Sequence, residues 1–334
     1  MNDTTERPAP GTATDPAATS VDSSVNGAIA LCIITFKRPV GLGRLLDSLA
    51  ELDTGGNDVR VVVVDNDPEG SAREVVEAAR ADHPLPIAFA VEAQRGITHA
   101  RNRCVALAHD VGDVGWIGWL DDDEAPRSDW LTLLVDTQRA SGADVVMGPS
   151  EPIYEPDATD WIIEAGVFDS PRFPTGDPFP FNYARTSGVL VRASKMPVEG
   201  FDNRLALSGG SDRVHFTLMH RAGCMFVWND EAIVDEWIPS SRMNVRWLCK
   251  RWFRKGVTRS LTLLLLDDPT LIRRARRVAG GSLMAVRGLG QALWAARRGR
   301  VAALTAASPM FFGIGAVYGA FGRHYHEYKT THGS

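Results

Sequence analysis

The sequence of 334 residues holds only four cysteines, Cys32, Cys104, Cys224 and Cys249, with no CxxC pair and no histidine at metal-binding spacing. Their scatter excludes a zinc ribbon or a disulfide scaffold and leaves buried thiols in a reducing cytoplasm as the expectation. No GxGxxG follows the first β-like run, and no GxxxxGK followed by Ser or Thr exists, so a dinucleotide fingerprint and a P-loop are both missing. Any phosphate must therefore be met by a metal ion and cationic side chains. Residues 1–27 have almost no large apolar group, and neither the basic start nor the apolar middle of a secretory signal; a disordered leader is expected. Acid is scarce at the other end. Residues 240–334 carry 17 Lys and Arg against 3 Asp and Glu, whereas residues 1–239 carry 19 against 38, an asymmetry hidden by the net charge of -5.

The basic end interleaves its charge with apolar runs, Ser260 to Leu266, Val278 to Val286 and Val301 to Gly322, separated by Arg273-Arg274-Ala275-Arg276-Arg277 and Arg297-Arg298-Gly299-Arg300. Such patterns suit an anionic inner-leaflet membrane surface and argue against nucleic acid as a partner. Val301 to Gly322 is 22 residues without a charge, the length of a membrane span, yet it contains Pro309 and four glycines. An interfacial helical hairpin, a true span and an ordinary helical subdomain all remain open at this level.

From Ala28 onward, short β-branched runs alternate with amphipathic stretches. Strands are expected at 28–35, 59–65, 86–91, 116–120 and 143–147, and helices at 39–52, 71–81, 97–109 and 128–141. The alternation predicts an α/β fold with a mostly parallel sheet and ligands at the carboxyl ends of its strands. Three polar clusters fall at those ends: Thr35-Phe36-Lys37-Arg38, Asp65-Asn66-Asp67 and Asp121-Asp122-Asp123-Glu124. Four adjacent carboxylates repel one another and call for a compensating cation. In an extended chain Asp121 and Asp123 would share one side, suited to a magnesium or manganese ion completed by substrate phosphates, while Asp122 and Glu124 would point away as solvated acids. Asp65 alone reads equally well as a turn residue. Arg95 and Arg101, near Gly96, could meet an anionic ligand, although a lone Arg is more often a surface ion pair.

These clusters together resemble the family 2 glycosyltransferases with a GT-A fold. The resemblance rests on Ile33-Ile34-Thr35-Phe36-Lys37-Arg38-Pro39, Val63-Val64-Asp65-Asn66, Gly96 with Ala100-Arg101-Asn102, and Leu120-Asp121-Asp122-Asp123. It continues through Thr186-Ser187-Gly188-Val189-Leu190-Val191-Arg192, Gly200-Phe201-Asp202 and Gly209-Gly210-Ser211-Asp212, and covers about residues 28–255. The pattern is most similar to bacterial enzymes of the succinoglycan type that build exopolysaccharide, with their Arg-rich segment matched by Arg242, Arg246, Arg251, Arg254 and Gly256.

The resemblance implies an inverting, metal-dependent transfer from a nucleotide sugar, a UDP-sugar above all, to a glycan or lipid-linked acceptor. By it, Thr35, Arg38, Asp65, Arg101 and Asp121 bind the donor, Asp123 and Glu236 hold Mn2+ or Mg2+, and Asp212 is the catalytic base. Two departures stand out: Ser211 replaces the usual Glu before that base, and Asp235 or Glu236 stands where many members place a His. The implied organisation is a catalytic domain over 28–240, with its nucleotide-sugar half at 28–148 and its acceptor half at 149–240, and a basic amphipathic helical tail over 241–334 at the cytoplasmic side of the membrane. The segment from Glu151 to Thr186, rich in Pro and aromatic residues, is the candidate for acceptor recognition. The competing readings are a sugar nucleotidyltransferase and a catalytically silent membrane-associated glycan- or nucleotide-binding protein.

Overall fold

The computed structural model describes residues 27–156, 158–267 and 270–323; the expected leader lies outside the described residues, apart from Gly27. Its first half alternates as the periodicity requires: β1 (Ala28–Thr35), α1 (Pro39–Ala50), β2 (Val59–Asp65), α2 (Arg73–Arg80), β3 (Ile87–Val91), α3 (Ile97–Asp110), β4 (Val114–Asp121). The chain continues through β5 (Glu124–Pro126), α4 (Trp130–Ser141), β6 (Val145–Met147), β7 (Ser150–Tyr154), α5 (Asp160–Glu164), β8 (Val189–Arg192), α6 (Ser211–Arg221), β9 (Phe226–Trp228) and β10 (Val234–Ile238). It ends in helices α7 (Val245–Leu266), α8 (Leu271–Ala295), α9 (Arg300–Ala306) and α10 (Ser308–Ala320).

The seven-stranded sheet runs β3-β2-β1-β4-β8-β6-β9. β3, β2, β1 and β4 are mutually parallel, and β8 is antiparallel to both of its neighbours. Both faces of the centre are covered, so β1 and β2 are buried along nearly their whole length, which is why they read as near-continuous apolar runs. Leu42, Leu45, Leu46, Leu49, Trp130 and Leu134 close one face; Cys104, Trp119, Phe201, Phe216 and Trp228 close the other. A second sheet, β5-β10-β7, stands beside the carboxyl end of β4.

In the Glu151 to Thr186 segment several aromatic rings are packed inward, while Tyr183 is exposed. Phe173, Phe179 and Phe181 pack on the sheet face closed by Phe216 and Trp228, and Phe173 meets Tyr183 and Trp228 edge-on at 5.5 and 5.3 Å. Phe168 is buried against Tyr154 and Trp247.

At the basic end α10 packs between α7 and α8 through glycines. A Cβ at Gly256, Gly315 or Gly288 would run into the backbone of Phe312, Phe253 or Met310, so the helices touch backbone to backbone. Arg300–Ala320 is long and apolar enough to cross a membrane, but the chain breaks it at Ala307 into α9 and α10.

Candidate active site

The buried residues Trp116, Ile117, Trp119 and Leu120 pin β4 in the sheet and deliver Asp121 to its carboxyl edge. The chain then turns at Asp122 and Asp123 and enters β5 at Glu124. Because it turns, the expected two-sided alternation fails. Asp122 and Glu124, expected to be solvated, are 5% and 2% exposed, and no helix begins there.

Each carboxylate has a fixed set of partners. Thr35 Oγ1 donates to Asp122 Oδ2 at 2.8 Å, and Arg38 Nη1 donates to Asp122 Oδ1 at 2.8 Å and to Asp123 Oδ2 at 3.1 Å. Lys37, between them, is the only described non-glycine residue at positive φ, 56°, a conformation that costs energy and is held where Thr35 and Arg38 both engage Asp122. Gly41 lies so close to the Asp122 carbonyl that any side chain would collide with it. Arg242, in the turn after β10, donates to Asp123 Oδ2 at 3.0 Å and lies 3.7 Å from Glu236 Oε1. Glu124 accepts the Asp121 N–H at 2.9 Å and the Ser187 hydroxyl. Alternation along β10 separates the two candidates there. Glu236 faces Arg242, whereas Asp235 pairs with Arg127 at 3.0 Å.

Charge is not fully compensated in this cluster. Burial, then Asp123, pushes Asp121 up to about 7, with Asp122 and Glu236 adding to the effect and Arg101 opposing it. Burial likewise raises Asp122 despite Arg38, and it raises Glu124 strongly beside Asp121 and Glu236. Among the described residues no group of three or more His, Cys, Asp or Glu is arranged to hold a metal ion. A complete protein cage is not required for Mg2+ or Mn2+, which take one or two carboxylates and complete their shell with phosphate and water. Crowded, all-oxygen donors with unrelieved negative charge therefore fit such an ion.

The remaining expected residues lie around this cluster. Asp65 ends β2 in register with Thr35 and is fully buried. Its Oδ1 accepts the Asp67 N–H at 2.9 Å, and its Oδ2 accepts the Ala72 N–H at 2.8 Å, so it organises the β2–α2 loop. Arg101 is buried in α3, donates to Ser211 Oγ at 2.8 Å and lies over the Phe201 ring. That bond ties the start of α6 to the side of the site where Arg101 acts on Asp121. Asp212 sits in the first turn of α6, one carboxylate oxygen accepting the Arg213 N–H at 2.8 Å.

Sequence reasoning missed Arg242, Asp122, Glu124 and Ser187 as members of the cluster. Thr35 and Asp122 meet because β1 and β4 are neighbours with Ile34 level with Asp121, a pairing of strands 87 residues apart that local patterns do not reveal.

A mostly parallel sheet whose central strand ends in carboxylates at its carboxyl edge, flanked by a small second sheet, is a ligand-binding α/β domain. The profile of "Glycosyl transferase family 2" matches residues 30–205. The chain is 36% identical over 252 residues to the succinoglycan biosynthesis protein ExoM of Rhizobium meliloti (strain 1021), covering 74% of this chain and 78% of that one. Among solved structures it is similar to the mannosyltransferase PcManGT from Pyrobaculum calidifontis in complex with GDP-Man and Mn2+, with a TM-score of 0.55, 16% identity and 91% of each chain covered. S. aureus TarS 1-349 in complex with UDP is similar at a TM-score of 0.51 and 12% identity, over 89% of this chain and 93% of that one. The chain belongs to glycosyl transferase family 2, and its fold is of the GT-A type.

Proposed function

We propose that this glycosyltransferase moves a sugar, with inversion, from a nucleotide-sugar donor of the UDP-sugar class to a glycan or lipid-linked acceptor in cell-surface polysaccharide assembly. The observation that carries this reading is the Asp121–Asp123 turn at the carboxyl end of β4, bracketed by Arg38 and Arg242. The relative named for succinoglycan biosynthesis supports the polysaccharide context.

In this reading Thr35, Arg38, Asp65, Arg101 and Asp121 form the donor side. Asp65 contributes by fixing the loop against which the nucleotide rests. Asp123 and Glu236, next to Asp121, would hold Mn2+ or Mg2+, whose chemistry when bound is to neutralise charge on the donor diphosphate. Asp212 takes the proton of the acceptor hydroxyl as its oxygen bonds to the anomeric carbon, and the bond from that carbon to the phosphate oxygen breaks. One displacement with one base inverts the anomeric centre. Arg38 and Arg242 supply fixed positive charge beside the site of the departing nucleoside diphosphate. Incubation with a panel of nucleotide sugars and manganese tests the proposal. At least one donor is turned over, and no turnover of any donor would refute it.

The same reading places the enzyme on the cytoplasmic face of the membrane, peripherally. Leu271, Ile272, Leu283, Val286, Leu289, Leu293 and Trp294 are exposed and, at 100° per residue, fall within an arc of about 140° on α8. Gly281 and Gly288, on the other side, pack on α10. Residues 270–323 contain nine Arg and no Asp or Glu, so an anionic leaflet complements this face whereas a second copy would repel it. α10 is held by α7 and α8, which favours an interfacial unit over a span.

A further inference from the structure

Beyond the Ser150 and Ser187 side of this site stands a second group of positive charge, Arg185, Arg251 and Lys255, to which the donor reading gives no role. Ser150 Oγ donates to Glu236 Oε2 at 3.2 Å and itself accepts from Arg185 Nη2 at 3.2 Å. Arg185 is further fixed by Ser187 Oγ at 3.1 Å and Ser170 Oγ at 3.3 Å. Arg251, in the second turn of α7, lies over Phe168 and Trp247, 5.3 and 5.2 Å from their ring centres. Lys255 follows one turn later on the same face of α7 and is exposed. Neither Arg251 nor Lys255 makes a hydrogen bond or ion pair with a carboxylate among the described residues.

We propose that Arg185, Arg251 and Lys255 form a binding site for a phosphate or diphosphate group carried by the acceptor. Like charges gathered on rigid supports are unfavourable unless an anion joins them. Burial, and then the surrounding arginines against the pull of Glu236, lowers Arg251 to about 10; burial, Arg251, Arg254 and Arg185 lower Lys255 to about 8. The carboxylate that acts on Arg251, Glu236, is already shared with Arg242 and Ser150. Ring stacking and three serine hydroxyls hold the guanidinium groups before any ligand arrives, which reduces the ordering cost of binding. Two held guanidiniums and an ammonium suit a phosphate, which accepts charge-assisted hydrogen bonds from both kinds of group.

The placement distinguishes this group from the donor's diphosphate. No residue of the cluster comes from β1, β2 or β4, whose ends form the donor edge; they come from the segment before β8 and from α7. α7 leads directly to α8 and its exposed apolar face, so an acceptor anchored in lipid would bring its phosphate to this side. The inference rests on the glycosyltransferase reading only for the word acceptor.

The test is calorimetry of the full chain with inorganic pyrophosphate in EDTA, beside UDP in manganese as the control for the donor site. Pyrophosphate should bind the wild type, and Arg251→Ala and Lys255→Ala should each weaken it at least about tenfold, equivalent to about 1.4 kcal/mol. UDP affinity should be unchanged, and the variants, relieved of repulsion, should melt no lower than the wild type. Absent or variant-insensitive pyrophosphate binding overturns the proposal, and so does equal loss of UDP binding, which would assign the cluster to the donor. Farnesyl diphosphate should compete with pyrophosphate, whereas vesicles of phosphatidylcholine with 30% phosphatidylglycerol should not; competition by the vesicles alone would make the ligand a headgroup and contradict an acceptor phosphate. If UDP fails to bind the wild type, the UDP-sugar reading of the donor is at fault instead.

Discussion

The β4–β5 turn and helix α8 both concentrate charge of one sign, and the protein treats the two in opposite ways. At the turn, Asp121, Asp122, Asp123 and Glu124 are folded inward, and Thr35, Arg38, Arg242 and Ser187 are spent on holding them. Along α8, Arg273, Arg274, Arg276 and Arg287 have no acidic residue anywhere in 270–323 to answer them, and large apolar residues share their exposed surface. Charge buried with only partial compensation marks a place where a small ion or ligand completes the structure. Charge left outside beside bare leucines marks a surface completed by something larger. The comparison predicts that changes at the two regions separate: one abolishes chemistry in solution, the other abolishes placement.

The largest effect should come from the start of α6. Asp212→Asn removes the proposed base and should lower transfer about 10²- to 10⁴-fold with an unchanged melting temperature, read in an assay of sugar transfer. Near wild-type transfer would remove Asp212 from its role. On the other side of the comparison, Leu283→Asp with Leu293→Asp deletes two apolar anchors worth about 1.5–3 kcal/mol each. Co-sedimentation with anionic vesicles should fall by about two orders of magnitude, while turnover of a soluble donor persists. Loss of both together would mean that α8 is part of the fold and not a docking face.

Smaller effects test the supports. Gly315→Val drives a side chain into the Phe253 backbone between α7 and α10, and should cost about 1–3 kcal/mol in thermal unfolding. An unaltered melting temperature would mean that this helix contact is loose. The smallest effect concerns pH. His215 is buried against Phe201 at 4.2 Å, and burial, with Arg101, lowers it to about 3. Below its unfolded value of about 6.5 the unfolded chain binds a proton that the folded protein refuses, so stability falls as pH drops from about 6.5 toward 3. His215→Phe should flatten that fall in denaturant titrations at pH 7 and pH 5.

How much of this was legible follows from the range of the signals. The runs Ala28–Thr35 and Val59–Asp65 are buried on both faces, so their near-continuous apolar character marked both strands to the residue. Pro39 likewise marked the start of α1. Asp121 as an edge residue followed from the apolar run before it. The inward turn of Asp122 and Glu124 did not, because it depends on β10, whose Trp237 N–H holds the Asp123 carbonyl at 2.9 Å from 114 residues away. That Glu236 turns toward Arg242 while Asp235 turns toward Arg127 depends on the same strand pairing and is not a local pattern. Arg251 and Lys255 were visible as charge, but not as a cluster, since Arg185 and the serines that hold it lie far off in sequence.

The most direct test of the central claim is UDP binding with and without manganese, measured on the wild type and on Asp123→Ala by titration calorimetry. The account predicts that manganese tightens UDP binding in the wild type and leaves it unchanged in Asp123→Ala, with both proteins equally folded. Equal enhancement in the two proteins would contradict it, and the acid turn would then be an internal ion-pair network without a ligand.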